Sequence, residues 1–562
     1  MAVEVRRAIP APTPHVPYRR RTFGLGSVFA KTVRDSRFAI LVVVGLLASF
    51  VLVGGGTMAS TYGTPETREE LARMSQGMPP IMRGLYGNPV NVGTLGGFLS
   101  WHYGAYFALL AGLWSILALS ATLAGEARRA SLDLVVATPN SRRRIALEKV
   151  GGHVAALAVA MALIAVAAWL SGVIWARMPG DAISPGAAIA FAVGVGFRAL
   201  VAGAVAFAIA PLLGRGAAAG ISGAVMLGGY VLYGYRTVVP AFDAIAGATW
   251  FSWSAGHLPL AGQSDWASVG LVALVAAALL AVGVEAFVRR DVGATLAIPM
   301  PGMPRGLLGL RGPVGRTFGD LLPVALAWAV GLSLYGVLMA AASRALVDAL
   351  AASPGLAAAF RTIIPDVDIT TTAGFLQLAF ADIGFVLVGL AAATFIAGRS
   401  SDELAGRLEL QLATPLTRAR WAAASGAAVW LALAVVTGVL GASIAMGIAS
   451  FGEDPVRPAV GTFVLLFYGA ALAGIGVGVA GLFGPSLAAP AVVAVAIGTF
   501  LVDLFAPILR LPDWVDQLAL TAHLGQPMTG AWDGWGLIAC AALAVGGLVV
   551  GAWGMCRRDV GG

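Results

Sequence analysis

Charge is what this sequence has least of. Only 11% of its 562 residues are Asp, Glu, Lys or Arg, 59% are hydrophobic and mean hydropathy is +0.86; a soluble domain carries about 25% charge. So little polar side chain cannot clothe a water-facing surface. The three or four soluble domains a chain of this length usually holds are therefore excluded. Cysteine is nearly absent: Cys540 lies in an apolar run and Cys556 beside a basic tail. Two free thiols make neither a disulfide framework nor a zinc cluster. The five histidines (His15, His102, His153, His257 and His523) show none of the i,i+4 pairing of a helical metal site. Lysine is reduced to Lys31 and Lys149. Leu25 stands where a phosphate-binding loop ending at Lys31 needs its first glycine, and Glu148 stands where one ending at Lys149 needs its last. No nucleotide site, metal site or catalytic constellation is legible, so no cofactor is expected in this chain. The net charge of +8 favours anionic lipid or an acidic partner. No nucleic-acid partner is expected.

What is present is apolar runs of the roughly 20 residues that a bilayer requires. They read Phe38–Gly54, Trp101–Leu123, Val150–Trp175, Pro185–Ala210, Gly216–Leu232 and Ala267–Val288. A second set follows: Leu321–Ala342, Phe375–Ala397, Trp421–Ile448, Ala459–Leu482, Ala488–Leu509 and Trp535–Met555. The predicted class is an all-α membrane protein with twelve transmembrane helices. The proline- and arginine-rich start has no apolar core and does not resemble a signal peptide. Residues 1–37 read as an arm followed by an interfacial helix, with Phe29 and Val33 on one side and Lys31 and Arg34 on another. The arginines crowd into the N-terminal arm, alternate loops and C-terminal tail, which places both termini in the cytoplasm of a bacterial cell.

The two sets of spans resemble each other. LDLVVATPNSRRR from Leu132 recurs as LELQLATPLTRAR from Leu408, and RRDVG follows the sixth span at Arg289 and the twelfth at Arg557. PLLGRG at Pro211 answers GLFGPS at Gly481, and the segment around His257 answers that around His523. These landmarks indicate a duplication. An even number of spans per copy makes the repeats parallel, related by an axis along the membrane normal, as a pseudo-dimer. The chain divides into an arm (1–37), a first six-span repeat (38–290), a linker with an interfacial helix (291–320), a second repeat (321–556) and a tail (557–562).

The segments Ala124–Lys149 and Ala397–Arg420 stand out. Each has an early acid (Glu126; Asp402 with Glu403), an apolar helical stripe, a Thr-Pro pair and an arginine cluster. Leu132, Val135 and Val136 share one face, as do Leu408, Gln411 and Leu412. Thr138-Pro139 and Thr414-Pro415 end a short helix, because proline restricts the residue before it. The expected element is a helix–turn with an exposed apolar ridge, once per half. Topology-setting basic loops that bind anionic lipid are the plainer alternative, and they leave the paired ridges unexplained.

Here the sequence resembles the coupling segments of bacterial ABC exporter permeases, in the duplicated form linked to polyketide and tetronasin-type antibiotic and multidrug export. Glu126, Leu132, Asp133, Leu134, Ala137, Thr138, Pro139, Ser141 and Arg142 carry the match in the first half. Gly406, Leu408, Glu409, Leu410, Ala413, Thr414, Pro415, Thr417 and Arg418 carry it in the second. Ala130 replaces the usual glycine, and Asp402 the usual glutamate. The resemblance implies a permease without its own chemistry that exports small hydrophobic drugs or antibiotics. It also implies two copies of a cytoplasmic ATPase, holding ATP and Mg, docked on these segments.

In the first outer loop Thr64 is the expected N-cap of a helix, with Pro65 at its first position and Glu66 against its dipole. A second short amphipathic helix is expected from Ser343. Arg198, Asp382 and Asp503 fall within spans, where an ionisable group marks either a substrate contact or a structural pair. Glu285, near the inner end of its span, is placed to snorkel. Trp101, Tyr103, Tyr106 and Phe107 line a greasy path or an interfacial belt. The rival readings are a proton-coupled twelve-span drug transporter, an ABC exporter of lipid, and a non-transporting scaffold or lipid-processing enzyme.

Overall fold

The structure, a computed structural model, describes residues 26–78, 83–84, 86–122, 140–237, 240–289, 312–352, 368–378, 382–404, 406–509 and 512–559. In chain order the helices are α1 (Val28–Asp35), α2 (Arg37–Thr61), α3 (Pro65–Gly77), α4 (Leu95–Thr122) and α5 (Arg142–Trp175). Then come α6 (Pro185–Arg215), α7 (Ala217–Gly234), α8 (Trp266–Arg289) and α9 (Pro313–Ala352). The second set continues with α10 (Thr372–Leu376), α11 (Asp382–Leu404), α12 (Arg407–Leu412) and α13 (Arg418–Ala449). It closes with α14 (Val456–Phe483), α15 (Pro485–Leu509) and α16 (Gly534–Arg557). Twelve helices are long and apolar enough to cross a membrane. The chain is a multi-pass, all-α membrane protein. Below, inner denotes the arginine-rich ends of the helices and outer the opposite ends.

Two compact units are present. One comprises residues 1–55, 94–230 and 247–296; the other comprises 56–93, 231–246 and 297–562. In the first, α1 lies on α5, which also contacts α4 and α8. Glycine permits the α1 contact: a Cβ on Gly152 would sit 2.7 Å from Thr32 Cβ. Glu148 of α5 fastens α1, accepting from the N–H groups of Val28 (3.0 Å) and Phe29 (3.3 Å), while Ser27 caps it at Ala30 N–H (3.1 Å). In the second unit the corresponding stretch opens α9 without a break, and Val314, Phe318 and Leu322 pack with Ala428 and Val435 of α13. The largest contact there joins α14 to α16 backbone to backbone. A Cβ on Gly551 would lie 2.5 Å from the Val477 carbonyl oxygen, and one on Gly481 2.3 Å from that of Gly551. Small residues spaced along both helices allow such an approach.

The repeat is written in the backbone of each unit. The run from α6 to α7 kinks at Gly214 (φ 80°, ψ 170°), one residue before the end of α6, and that from α14 to α15 breaks at Gly484 (φ 101°, ψ 162°). A side chain rarely adopts this conformation, and both sequence landmarks carry glycine there. The outer turn before the last helix is likewise the same structure twice. Leu258 bridges Gln263 around a 3₁₀ turn at Pro259–Ala261. Its counterparts β1 (Gly525–Gln526) and β2 (Ala531–Trp532) flank Pro527–Thr529. This register aligns Leu258 with Gln526, Asp265 with Asp533 and Arg289 with Arg557. The histidine alignment is therefore two residues out: His257 answers Gly525, not His523. Asp265 and Asp533 each accept N–H groups at the start of the final helix, from Ser268 (3.1 Å) and from Trp535 (2.9 Å) and Gly536 (3.3 Å).

The eighth span, expected from Phe375, contains α11; residues 379–381, between α10 and α11, lie outside the described residues. Ser343 starts no helix of its own; through Ala352 it prolongs α9. The arm through residue 25 and the interfacial helix expected in the 291–320 linker, up to residue 311, lie outside the described residues.

Candidate coupling site

The second segment is built from the inner ends of α11, α13 and α16. After α11, Gly406 turns the chain in the left-handed conformation (φ 69°), and α12 follows, ending before Thr414-Pro415 as the proline requires. Thr417 then caps α13 by accepting from Arg420 N–H at 3.2 Å. Ser141 caps α5 in the same way at Arg144 N–H (3.2 Å). The Ser/Thr after Thr-Pro is thus the start signal of the third helix of each half.

The apolar ridge of α12 faces inward. Leu408 is fully buried among Trp421 and Ala422 of α13 and Met555 of α16, with Leu412 and Leu416 against the same cluster. The expectation of an exposed Leu408 ridge is corrected: the side chain is spent on the chain's own helices. Gln411 bridges two of them. Its Nε2–H donates to Asp402 Oδ2 (2.8 Å) and its Oε1 accepts from Trp421 Nε1–H (3.1 Å). Asp402 also accepts from Arg407 (2.9 Å). What α12 presents outward is Glu409 and Leu410, the latter 75% exposed. Thr414 and Pro415 are exposed beside them.

Below this helix lies a charged brace. Arg399 of α11 is buried, its guanidinium 4.7 Å from the Trp421 ring centroid and its Nε–H donating to Ser425 Oγ at 2.8 Å. Glu403, its side chain 6% exposed, pairs with Arg558. The Arg558 carbonyl accepts from Arg418 Nη1 at 2.8 Å. Arg399, Trp421 and Arg558 escaped sequence reasoning, although a lone arginine and a tryptophan at the edges of apolar runs were signals to follow.

Of the first segment, Glu126, Leu132, Asp133, Val135, Val136, Thr138 and Pro139 lie outside the described residues. Arg142 is the first residue of α5 and half-buried. Register with the second half sets Val135 against Gln411 and Ile145 against Trp421. Gln411 and Trp421 therefore have apolar counterparts there, while Asp402 answers Glu126.

The intramembrane candidates separate. Arg198 donates to the backbone carbonyls of His257 (3.2 Å) and Ser254 (3.4 Å), holding the outer turn of its own unit. His257 completes that anchor, with Nε2–H donating to the Ala190 carbonyl (3.0 Å) and Nδ1 accepting from Asp265 N–H (3.2 Å). Asp503 lies within α15, six residues before its end at Leu509, and accepts from the Thr521 hydroxyl. Asp382 is the first described residue of α11, and its side chain is outside the described set. Glu285 pairs with Arg143 (2.5 Å) and Arg289 (2.7 Å) at the inner end. Trp101 and Phe107 are buried, Phe107 edge-on to Phe191 at 5.3 Å. Tyr103 stacks on Phe50, and Tyr106 tilts against it at 6.3 Å. Within their unit these aromatics form packing.

Residues 310–555 match the family model described as the C-terminal domain of the multidrug efflux system permease Rv1217c. The multidrug efflux system permease protein Rv1217c of Mycobacterium tuberculosis (strain ATCC 25618 / H37Rv) is 28% identical to the chain over 496 residues. That alignment covers 86% of this chain and 85% of that protein. Together with the twelve apolar helices, these matches support a bacterial multidrug exporter permease.

Proposed function

We propose that the chain is the membrane permease of an ATP-driven ABC exporter, carrying small hydrophobic drugs or antibiotics out of the cell. Two copies of a separate cytoplasmic ATPase, holding ATP and Mg, dock on Glu126–Arg144 and Asp402–Arg420. Both termini lie in the cytoplasm on this reading, and the chain itself hydrolyses nothing.

The observation that carries the reading is the construction of α12. One face is welded to α13 and α16 through Leu408, Leu412 and Gln411, while Glu409 and Leu410 are left outside. A body pressing on Leu410 would move the long helix α13 as well as α12. At about 1.5 Å per residue, the 32 residues of α13 exceed a bilayer core of about 30 Å, so the helix reaches from the segment through the membrane. A rigid lever of this kind suits force delivered from outside the membrane. The test is the energy source. Drug export from cells should stop on ATP depletion and persist when an uncoupler removes the proton gradient. The reverse pattern would establish the proton-coupled transporter instead.

A further inference from the structure

A groove at the inner end of the first unit lies where the first coupling segment, through Ser141, Arg143 and Arg144, runs into α5 beside α1. It opens between α1 and the first turns of α5, has a volume of about 520 Å³, and is lined by Ser27, Phe29, Arg143, Arg144, Leu147 and Glu148, with Ser141 at its edge. Its walls are of two kinds. Phe29 and Leu147 are 41% and 54% exposed, bare hydrocarbon where a membrane-spanning helix leaves its apolar stretch. Arg143 and Arg144 present side chains 60% and 65% exposed.

Among the described residues the local carboxylates do not balance the arginines. Glu148 pairs with Arg144 at 2.8 Å and also closes the N-terminal end of α1. Glu285 is divided between Arg143 and Arg289. Among the described residues three guanidinium groups thus meet two carboxylates, and each guanidinium has five N–H donors to offer. A ligand that neutralises this excess needs an anionic group with several acceptor oxygens, and one that covers Phe29 and Leu147 needs an apolar chain attached to it.

We infer that this groove binds an anionic phospholipid, with the phosphodiester against Arg143 and Arg144 and an acyl chain along Phe29 and Leu147. Such a lipid would brace α1 against α5, the helix that continues directly from the first coupling segment. The inference rests on the membrane assignment and does not depend on any ATPase.

The experiment uses the full-length protein in detergent micelles doped with phosphatidylglycerol or phosphatidylcholine, with bound lipid counted by native mass spectrometry. Phosphatidylglycerol should be retained at least about tenfold more tightly than phosphatidylcholine. R143Q/R144Q should abolish the difference, whereas R143K/R144K, which keeps the charge, should preserve most of it. The comparison in unmutated protein requires no variant to fold. Equal retention of the two lipids would overturn the proposal, as would unchanged phosphatidylglycerol retention in R143Q/R144Q. Full displacement of phosphatidylglycerol by inorganic phosphate would also overturn it, because the groove would then be an anion site indifferent to the lipid.

Discussion

At the scale of single residues, α12 separates two jobs that its amphipathic pattern suggests are one. Leu408 holds the element to its own protein, and Leu410 is what a partner can reach. Leu408→Ala removes a fully buried side chain and should cost about 2–5 kcal/mol locally, read as a lower melting temperature of the purified permease. Gln411→Leu strands the Trp421 indole N–H and one Asp402 oxygen, at about 1–3 kcal/mol. If α12 is a lever, Gln411→Leu should reduce drug export severalfold while leaving any ATPase association intact. Export at the normal rate would show that the bridge transmits nothing. The stripe of leucines was legible in the sequence, but which of them faces the protein was not. A six-residue helix completes under two turns, so its inward face is chosen by neighbours such as Trp421 and Met555, far along the chain.

At the scale of elements, local chemistry was read well. Thr64 caps α3 with a reciprocal bond from Thr67, and Pro65 occupies the first helical position. The carboxyl of Glu66 is held below the usual glutamate range by its own backbone N–H and by the Thr64 hydroxyl. A depressed carboxyl stabilises the helix above the ordinary glutamate pKa and loses that contribution as pH falls through the depressed value. Amide exchange in the first turn of α3 should therefore quicken on acidification, and Thr64→Val should flatten that dependence. An equal acid response in the variant would detach the effect from this cap.

The contacts between elements were less legible. The backbone approach of α14 and α16 leaves only scattered glycines in runs already rich in them, and nothing in one helix announces its partner. Gly551→Leu should force the two helices apart, because even a Cβ there falls 2.5 Å from the Val477 carbonyl oxygen. The expected reading is loss of folded protein from the membrane fraction, and normal yield would contradict the packing described.

At the scale of the whole chain, duplication is the organising fact. Motif pairs revealed it, and the glycine breaks at Gly214 and Gly484 and the paired outer turns repeat it in backbone geometry. The halves have since diverged at α12 and its neighbours. Gln411 and Trp421 answer Val135 and Ile145, so their polar contact in one copy has an apolar counterpart in the other. The histidines misled the alignment because His257 is a buried anchor while His523 bonds only a nearby carbonyl, that of Gln517. Similar letters had come to serve different local purposes.

The central claim is that α12 delivers the work of a separate ATPase to the membrane helices. It is tested most directly by purifying the permease from its own cells and measuring the ATP hydrolysis that accompanies it. The account predicts a co-purifying ATPase whose associated activity falls at least about tenfold in Leu410→Asp, a change at an exposed position that leaves the permease folded. Drug-exporting permease that carries no ATPase, or an association indifferent to Leu410→Asp, would contradict it.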